Sequence, residues 1–208
     1  MTDPLAPPLN PWRHAAAVRH FLGHFGLAAG APDHLQLEKV LFHFSRLPYE
    51  NISKIVKLNH HFRTIERIRL PEEVMDDYVR HNLGGTCFSL SFFLQCILLH
   101  LGYSAYIVMA DMGSRRNVHC ALIVELQGGK FLVDPGYLLT RAMAFHRDRS
   151  SIHTSPQSGV ELRYDLRANA MPSPPSTGRS KNCAIPLKTD PPRRRNFCST
   201  GSTHFIRG

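Results

Sequence analysis

Apolar residues recur at intervals of three and four through the first hundred positions and then run almost without interruption. From Trp12 to Phe25, residues Trp12, Val18, Phe21, Leu22 and Phe25 fall near one helical stripe, which Gly26 and Gly30 close. Asp33 stands where an N-cap belongs, ahead of Leu37, Val40, Leu41 and Phe44 at helical spacing, and Pro48 stops that helix. Pro71 with Glu72 and Glu73 marks another helix start, because proline suits the first turn and acids favour that end of the dipole. This helix should finish near Asn82, ahead of Gly84 and Gly85. The clearest stripe follows Cys87, where Leu90, Leu94, Ile97, Leu98 and Leu101 line one face and Gly102 closes it.

The period then changes. YSAYIVMAD, VHCALIVEL and KFLVDPGY are rich in β-branched and aromatic residues, and Gly128-Gly129 is expected to turn a hairpin between the last two. GVELRYDL, 159 to 166, reads as one more strand. Helices first and strands after them predict an α+β fold. It comprises an N-terminal helical lobe (residues 1–83), then a lobe (84–166) that pairs one helix with an antiparallel sheet or partial barrel. Residues 167–208 form a basic, proline-rich tail; from Met171 onward six prolines lie among Ser, Thr, Lys and Arg with no apolar period, a composition expected to be disordered or non-native.

Charge changes this picture little. The formal net charge of +9 is uneven: residues 171–208 hold seven Lys/Arg against one acid, which leaves only +3 on the first 170 residues. Nucleic acid is therefore not an expected partner. Residues 81–110 carry no Asp, Glu, Lys or Arg, but Ser89, Ser91, Gln95 and His100 interrupt the run and Gly102 breaks it. A buried helix followed by a core strand explains it better than a membrane span. Five cysteines, at 87, 96, 120, 183 and 198, include no CxxC pair, so neither a zinc site nor a disulfide framework is expected. The N-terminus lacks a signal-peptide layout, and a reducing cytoplasm is the expected setting.

The stretch HNLGGTCFSLSFF carries the chemistry. Cys87 falls on the first turn of its helix, where unpaired amide groups and the helix dipole favour a thiolate, and the preceding glycines leave room for a substrate to come close. The plain alternative is a small hydrophobe at a helix start. Cys96, inside the apolar helix, and Cys120, alternating along a strand, read as core. A thiolate works with a base, and His119 opens the apolar strand VHCALIVEL; Asp134, ending FLV, can orient it. Taken singly, His119 also reads as a structural strand-end histidine and Asp134 as a turn-former. Together the three have the layout of a papain-type Cys-His-Asp triad. A turn at Gly128-Gly129 sets Asp134 opposite Ile123, on the same sheet face as His119 but four residues away, about 13 Å at a typical strand rise. A bulge, a wider loop or strand coiling has to close that gap.

LPYENIS (47–53), GGTCFSL (84–90), VHCALIVEL (118–126) and FLVDPGY (131–137) occur in the order and approximate spacing of the arylamine N-acetyltransferases, which this chain resembles from Leu35 to Tyr137 and more weakly to Leu166. The resemblance implies ping-pong acyl transfer without a bound cofactor. Cys87 would take an acetyl group from acetyl-coenzyme A as co-substrate, His119 would manage the thiol proton, and Asp134 would orient His119. The acceptor would be a small aromatic amine or hydrazine, bordered by Tyr49 and Phe88. Two motif positions differ: Leu83 stands where the family usually has arginine, and Asp134-Pro135-Gly136-Tyr137 where it commonly reads Asp-Val-Gly-Phe. Asp-Pro is closer to transglutaminase-like proteins, which share the triad layout and make a thiol amidase or protease the alternative. A non-catalytic remnant that keeps the fold for binding is a third reading. The family also adds further strands and a lid-like domain after the aspartate strand. Relative to that plan the C-terminus is expected to be truncated or altered in frame, with the coenzyme pocket incomplete.

Overall fold

The computed structural model describes residues 8–112, 115–146, 151–154 and 159–162. The expected tail, and the second half of the strand expected at 159–166, lie outside the described residues. Five helices come first: α1 (Ala15–His24), α2 (His34–Phe44), α3 (Ile52–His60), α4 (Pro71–His81) and α5 (Cys87–His100). The strands follow: β1 (Ser104–Met112), β2 (Arg115–Leu126), β3 (Gly129–Val133), β4 (Met143–Ala144), β5 (Ser151–Thr154) and β6 (Gly159–Leu162). The order β1-β2-β3-β4 makes one antiparallel sheet and β5-β6 a separate hairpin. The α+β class is as the sequence predicts.

The helix ends are built locally. Asp33 caps α2 by accepting from the Gln36 amide at 2.7 Å. Glu73 reaches back to the Leu70 amide at 2.8 Å at the start of α4, and Asn82 ends that helix in the left-handed region with φ 53°. Leu37, Val40, Leu41 and Phe44 are all buried, as are Leu90, Leu94, Ile97, Leu98 and Leu101. The first helix departs from expectation. A 3-10 turn over Pro11–His14 precedes α1 and leaves Trp12 60% exposed, so Trp12 does not belong to the core stripe. His14 turns inward instead, bonded to Glu72 Oε2 at 2.8 Å and to the Pro8 carbonyl at 2.7 Å.

The helix α3 has no counterpart in the sequence reading. Its Ile52, Ile55 and Val56 do recur at helical spacing, a short stripe that the expectation of a loop after Pro48 passed over, and all three are exposed, outside the core. Local polar contacts hold it: Glu50 Oε2 accepts from the Ser53 amide at 2.9 Å, and Lys57 pairs with Glu73 of α4.

Both faces of the main sheet are covered. Cys120, Leu122, Val124 and Val133 pack with the helices, whereas Ala121, Ile123 and Leu132 pack under Leu139 and Met143. This two-sided burial is why VHCALIVEL reads as a continuous apolar run. The β2-β3 turn lies at Gln127-Gly128, both at positive φ (50° and 76°), with Leu126 opposite Gly129. The turn expected at Gly128-Gly129 is corrected by one position. Leu122 pairs with Val133, and continuing that register by one step sets Asp134 opposite Ala121, two residues from His119 instead of four. A diagonal of that kind spans about 7–8 Å between backbones, which two side chains bridge.

The segment before α5 is drawn against the chain at residues 48–50. Tyr49 and Gly85 form a parallel bridge in which Gly85 donates to the Pro48 carbonyl at 3.1 Å and Glu50 donates to the Gly85 carbonyl at 3.0 Å. A Cβ on Gly84 would lie 2.0 Å from the Pro48 carbonyl oxygen, which leaves no room for a side chain. We expect Gly84→Ala to lower stability by about 2 kcal/mol or more. Gly23→Ala on α1, where a Cβ meets nothing within 4 Å, should be neutral or stabilising by about 0.5–1 kcal/mol. Urea midpoints of the two variants decide this, and equal shifts would remove the backbone contact as the reason for glycine at 84.

Candidate active site

Cys87 is the first residue of α5, behind the N-cap Thr86, whose side chain makes no capping bond. The expectation that Gly84 and Gly85 leave room for a substrate is revised. The space beside them is filled by Pro48 and by Ser89, whose Oγ would lie 2.2 Å from a Cβ on Gly85. Their smallness seats the loop. The buried Arg69 guanidinium adds a further tie, donating to the Gly84 carbonyl at 3.2 Å while pairing with Asp77 at 3.0 Å.

From this position the Cys87 sulfur meets β2. His119 and Cys120 of that strand are the neighbours that act on its ionisation, and the His119 ring and the Cys87 side chain meet at Gly136, where an added Cβ would lie 2.8 Å from His119 Cε1 and 2.9 Å from Cys87 Cβ. His119 Nε2 in turn lies 2.7 Å from Asp134 Oδ2. Asp134 is fully buried, and its other oxygen accepts from the amides of Gly136 at 2.9 Å and Tyr137 at 3.1 Å. One carboxylate thus caps the 3-10 turn Pro135–Tyr137 and fixes the His119 ring. The Tyr137 ring meets the imidazole edge-on at 5.1 Å.

These contacts set the protonation states. Cys87 is drawn down to about 5: the Cys120 thiol contributes most, burial opposes it, and the hydrogen bond and charge of His119 with the Cys120 amide add to the lowering. Burial by itself would lower His119. The Asp134 and Cys87 hydrogen bonds and charges outweigh burial and raise His119 to about 10. A thiolate–imidazolium pair is the stable form at neutral pH. Cys120, fully enclosed and facing Cys87, is pushed well above the ordinary thiol range and keeps its proton. Cys96 is raised as well, first by burial and then by the charge of Glu72, and is inert core as the sequence suggests.

Cys87, His119 and Asp134 therefore converge. Tyr49, 45% exposed, borders them across the Gly85 bridge; burial, then the charges of Cys87 and Cys120, raises its phenol. Phe88, half-buried, packs against the main core beside Cys87. Sequence reasoning missed Cys120 and Gly136. Alternation along β2 would have turned Cys120 toward α5. Gly136 leaves a signal only in three dimensions: a Cβ there would lie 2.8 Å from His119 Cε1 and 2.9 Å from Cys87 Cβ. Among the described residues no group of His, Cys, Asp or Glu is arranged to hold a metal ion, and no helix is long and apolar enough to cross a membrane.

The fold and site define an α+β protein with a Cys-His-Asp constellation at the first turn of a buried helix. A family model described as N-acetyltransferase matches residues 35–164, more than half the chain, and the chain belongs to that family, the arylamine N-acetyltransferases. Similar solved structures include arylamine N-acetyltransferase C from Bacillus anthracis, with 14% identity and a TM-score of 0.60, covering 92% of this chain and 76% of that one. The enzyme from Mycobacterium abscessus has 15% identity and a TM-score of 0.66, covering 94% and 72%. One from Bacillus cereus, described as having a unique Cys-His-Glu catalytic triad, has 16% identity and a TM-score of 0.52, covering 69% and 57%. At these identities the likeness is one of fold. The chain spans 57% to 76% of the lengths of these three proteins. No curated protein matches it.

Two outcomes follow from the geometry. The Cys87 thiolate is lost as pH falls through about 5, and the His119 imidazolium is lost as pH rises through about 10. Alkylation of Cys87 by iodoacetamide, followed by peptide mass analysis, is expected to rise through an inflection near the lower value and stay level across neutral pH. An inflection at an ordinary thiol value would remove the ion pair. Gly136→Ala should displace the imidazole or the sulfur and slow the same alkylation at neutral pH by about tenfold or more. Its far-ultraviolet circular dichroism should be unchanged; an unaltered rate would show that the close packing at Gly136 does not position the pair.

Proposed function

We propose that this chain moves an acetyl group from acetyl-coenzyme A, through a thioester on Cys87, to an arylamine, hydrazine or similar amine. The observation that carries the proposal is the His119–Asp134 hydrogen bond at 2.7 Å beside a Cys87 whose ionisation His119 favours, within a chain of this family. In the first half-reaction the Cys87 thiolate attacks the thioester carbonyl carbon. The carbon–sulfur bond to coenzyme A breaks, and the departing sulfur takes the proton held on His119. In the second, the amine attacks acetyl-Cys87, His119 accepts the amine proton, and the Cys87 thiolate leaves.

Asp134 holds the ring and stabilises its charged form, the part a carboxylate plays beside a catalytic histidine. The Bacillus cereus protein uses glutamate in its triad, and Asp134 is the acid in the proposed site here. Tyr49, on the bridge beside the sulfur, and Phe88, on the first turn of α5, border the acceptor. The depressed Cys87 value supports catalysis over a binding remnant, since an unused buried thiol has no reason to ionise.

The test withholds the acceptor. Incubated with acetyl-coenzyme A alone, the protein is expected to gain one acetyl group on Cys87 by intact mass, and Cys87→Ala to gain none. An alkylation-reactive Cys87 that takes no acetyl group from this donor would reject acetyl-coenzyme A as the donor. Acetylation retained in Cys87→Ala would reject Cys87 as the acceptor of the group.

A further inference from the structure

We propose that Arg69 is a positioning residue for Cys87, a buried guanidinium that aligns the Gly84-Gly85 peptide and, through it, the turn that carries the sulfur. The proposal rests on the reading of Cys87 as nucleophile and gives Arg69 a part played through the backbone.

The geometry starts ahead of α4. Arg69 stands two residues before Pro71 and is only 5% exposed. One terminal nitrogen pairs with Asp77 Oδ2 at 3.0 Å, and the other donates to the Gly84 carbonyl at 3.2 Å. A residue just ahead of α4 thus holds the loop that follows the same helix. Asp77 serves the loop from its backbone too, its carbonyl accepting from the Leu83 amide at 3.3 Å. The Gly84 carbonyl and the Gly85 amide belong to one planar peptide, so whatever turns one turns the other. The amide edge donates to the Pro48 carbonyl at 3.1 Å and so makes the bridge that carries Tyr49. Thr86 and Cys87 follow at once. Thr86 makes no side-chain capping bond, so the loop sets the entry of α5.

Stability alone does not account for this residue. Taking a guanidinium out of water offsets much of what its ion pair returns. Arg69 Nε is moreover buried with no hydrogen-bond partner among the described residues, a further cost. Arg69 borders a cavity of about 390 Å³ between α3 and α4, whose wall includes Ile52, Val56 and Leu83. An apolar side chain of similar volume would suit that wall. It could not aim two donors, fixed in one plane, at Asp77 and at Gly84 together. Lys57, the other cation on the cavity, is paired with Glu73, and the bond to the Gly84 carbonyl comes from Arg69. The fork sets how far the loop stands from α4, and so where the first turn of α5 begins.

Two substitutions test the tie: Arg69→Met keeps the volume and removes every donor, and Arg69→Lys keeps the charge but not the fork. The readouts are the rate and pH inflection of Cys87 alkylation by iodoacetamide, which do not depend on acetyl transfer, beside the urea midpoint. Arg69→Met is expected to slow alkylation about tenfold at neutral pH and to move the inflection upward, with the far-ultraviolet circular dichroism unchanged. Arg69→Lys should fall between, slowed about threefold, because one donor still reaches Gly84. Val18→Ala, a buried position on α1 outside the site, serves as the stability control and should lower the urea midpoint without slowing alkylation. A folded Arg69→Met with the wild-type rate and inflection would overturn the proposal. So would a control that slows alkylation as much as Arg69→Met does, since the loss would then be one of stability. If Arg69→Met does not fold, Arg69→Lys decides, and a wild-type rate there would overturn the proposal. A wild-type profile with no low inflection at all would instead overturn the reading of Cys87.

Discussion

The docking of α5 against β2 is the contact on which the site depends. Leu90, Phe93, Leu94, Ile97 and Leu98 are fully buried along the helix, each contributing about 1.5–3 kcal/mol as an upper estimate of apolar burial. That burial fixes where the first turn of α5 ends, and so where the Cys87 sulfur sits. Holding a thiolate, an imidazolium and a carboxylate out of water costs energy that their mutual attraction only partly returns. An apolar helix pressed on an apolar strand supplies a frame stiff enough to keep the three groups in register.

The second constraint is the economy of Asp134. Its two oxygens serve different structures, one turning the chain at Pro135–Tyr137 and the other holding His119. Loss of the turn would free the carboxylate, and loss of the carboxylate would leave the Gly136 and Tyr137 amides unpaired. Gly136 closes this loop of dependence, because it packs against both the imidazole and Cys87 in a space that a methyl group would overfill. Backbone geometry and site electrostatics are therefore one problem at this turn.

Much of this was legible along the chain. Asp33, Pro71, Asn82 and Gly102 mark helix ends by local chemistry, and the stripes of α2 and α5 announce faces that are in fact buried. Cys87, His119 and Asp134 could be picked out by residue type and element. What failed was what depends on distance in space. A turn misplaced by one residue moved Asp134 by two positions along β2, enough to make a close pair look 13 Å apart by strand rise. The helix α3 went unread although Ile52, Ile55 and Val56 recur at three and four, because that stripe is short and solvent-facing and the helix is held by Glu50 and the Lys57–Glu73 pair. His14 took the inward position given to Trp12 because a 3-10 turn advances the chain faster per turn than an α-helix. Gly84 and Gly85 read correctly as close approach, and the protein groups that approach them are Pro48 and Ser89, which only the fold brings there.

The chemistry proposed for the site asks two opposed things of one sulfur. As attacker it gains from being ionised but loses intrinsic nucleophilicity as its pKa falls; as leaving group it gains from that same fall. A ping-pong transfer uses it once in each role. Donors that stabilise the thiolate favour the second half-reaction most, because the negative charge reappears on sulfur as acetyl-Cys87 breaks down. His119 is committed to the acceptor's proton at that moment, so it is least able to help.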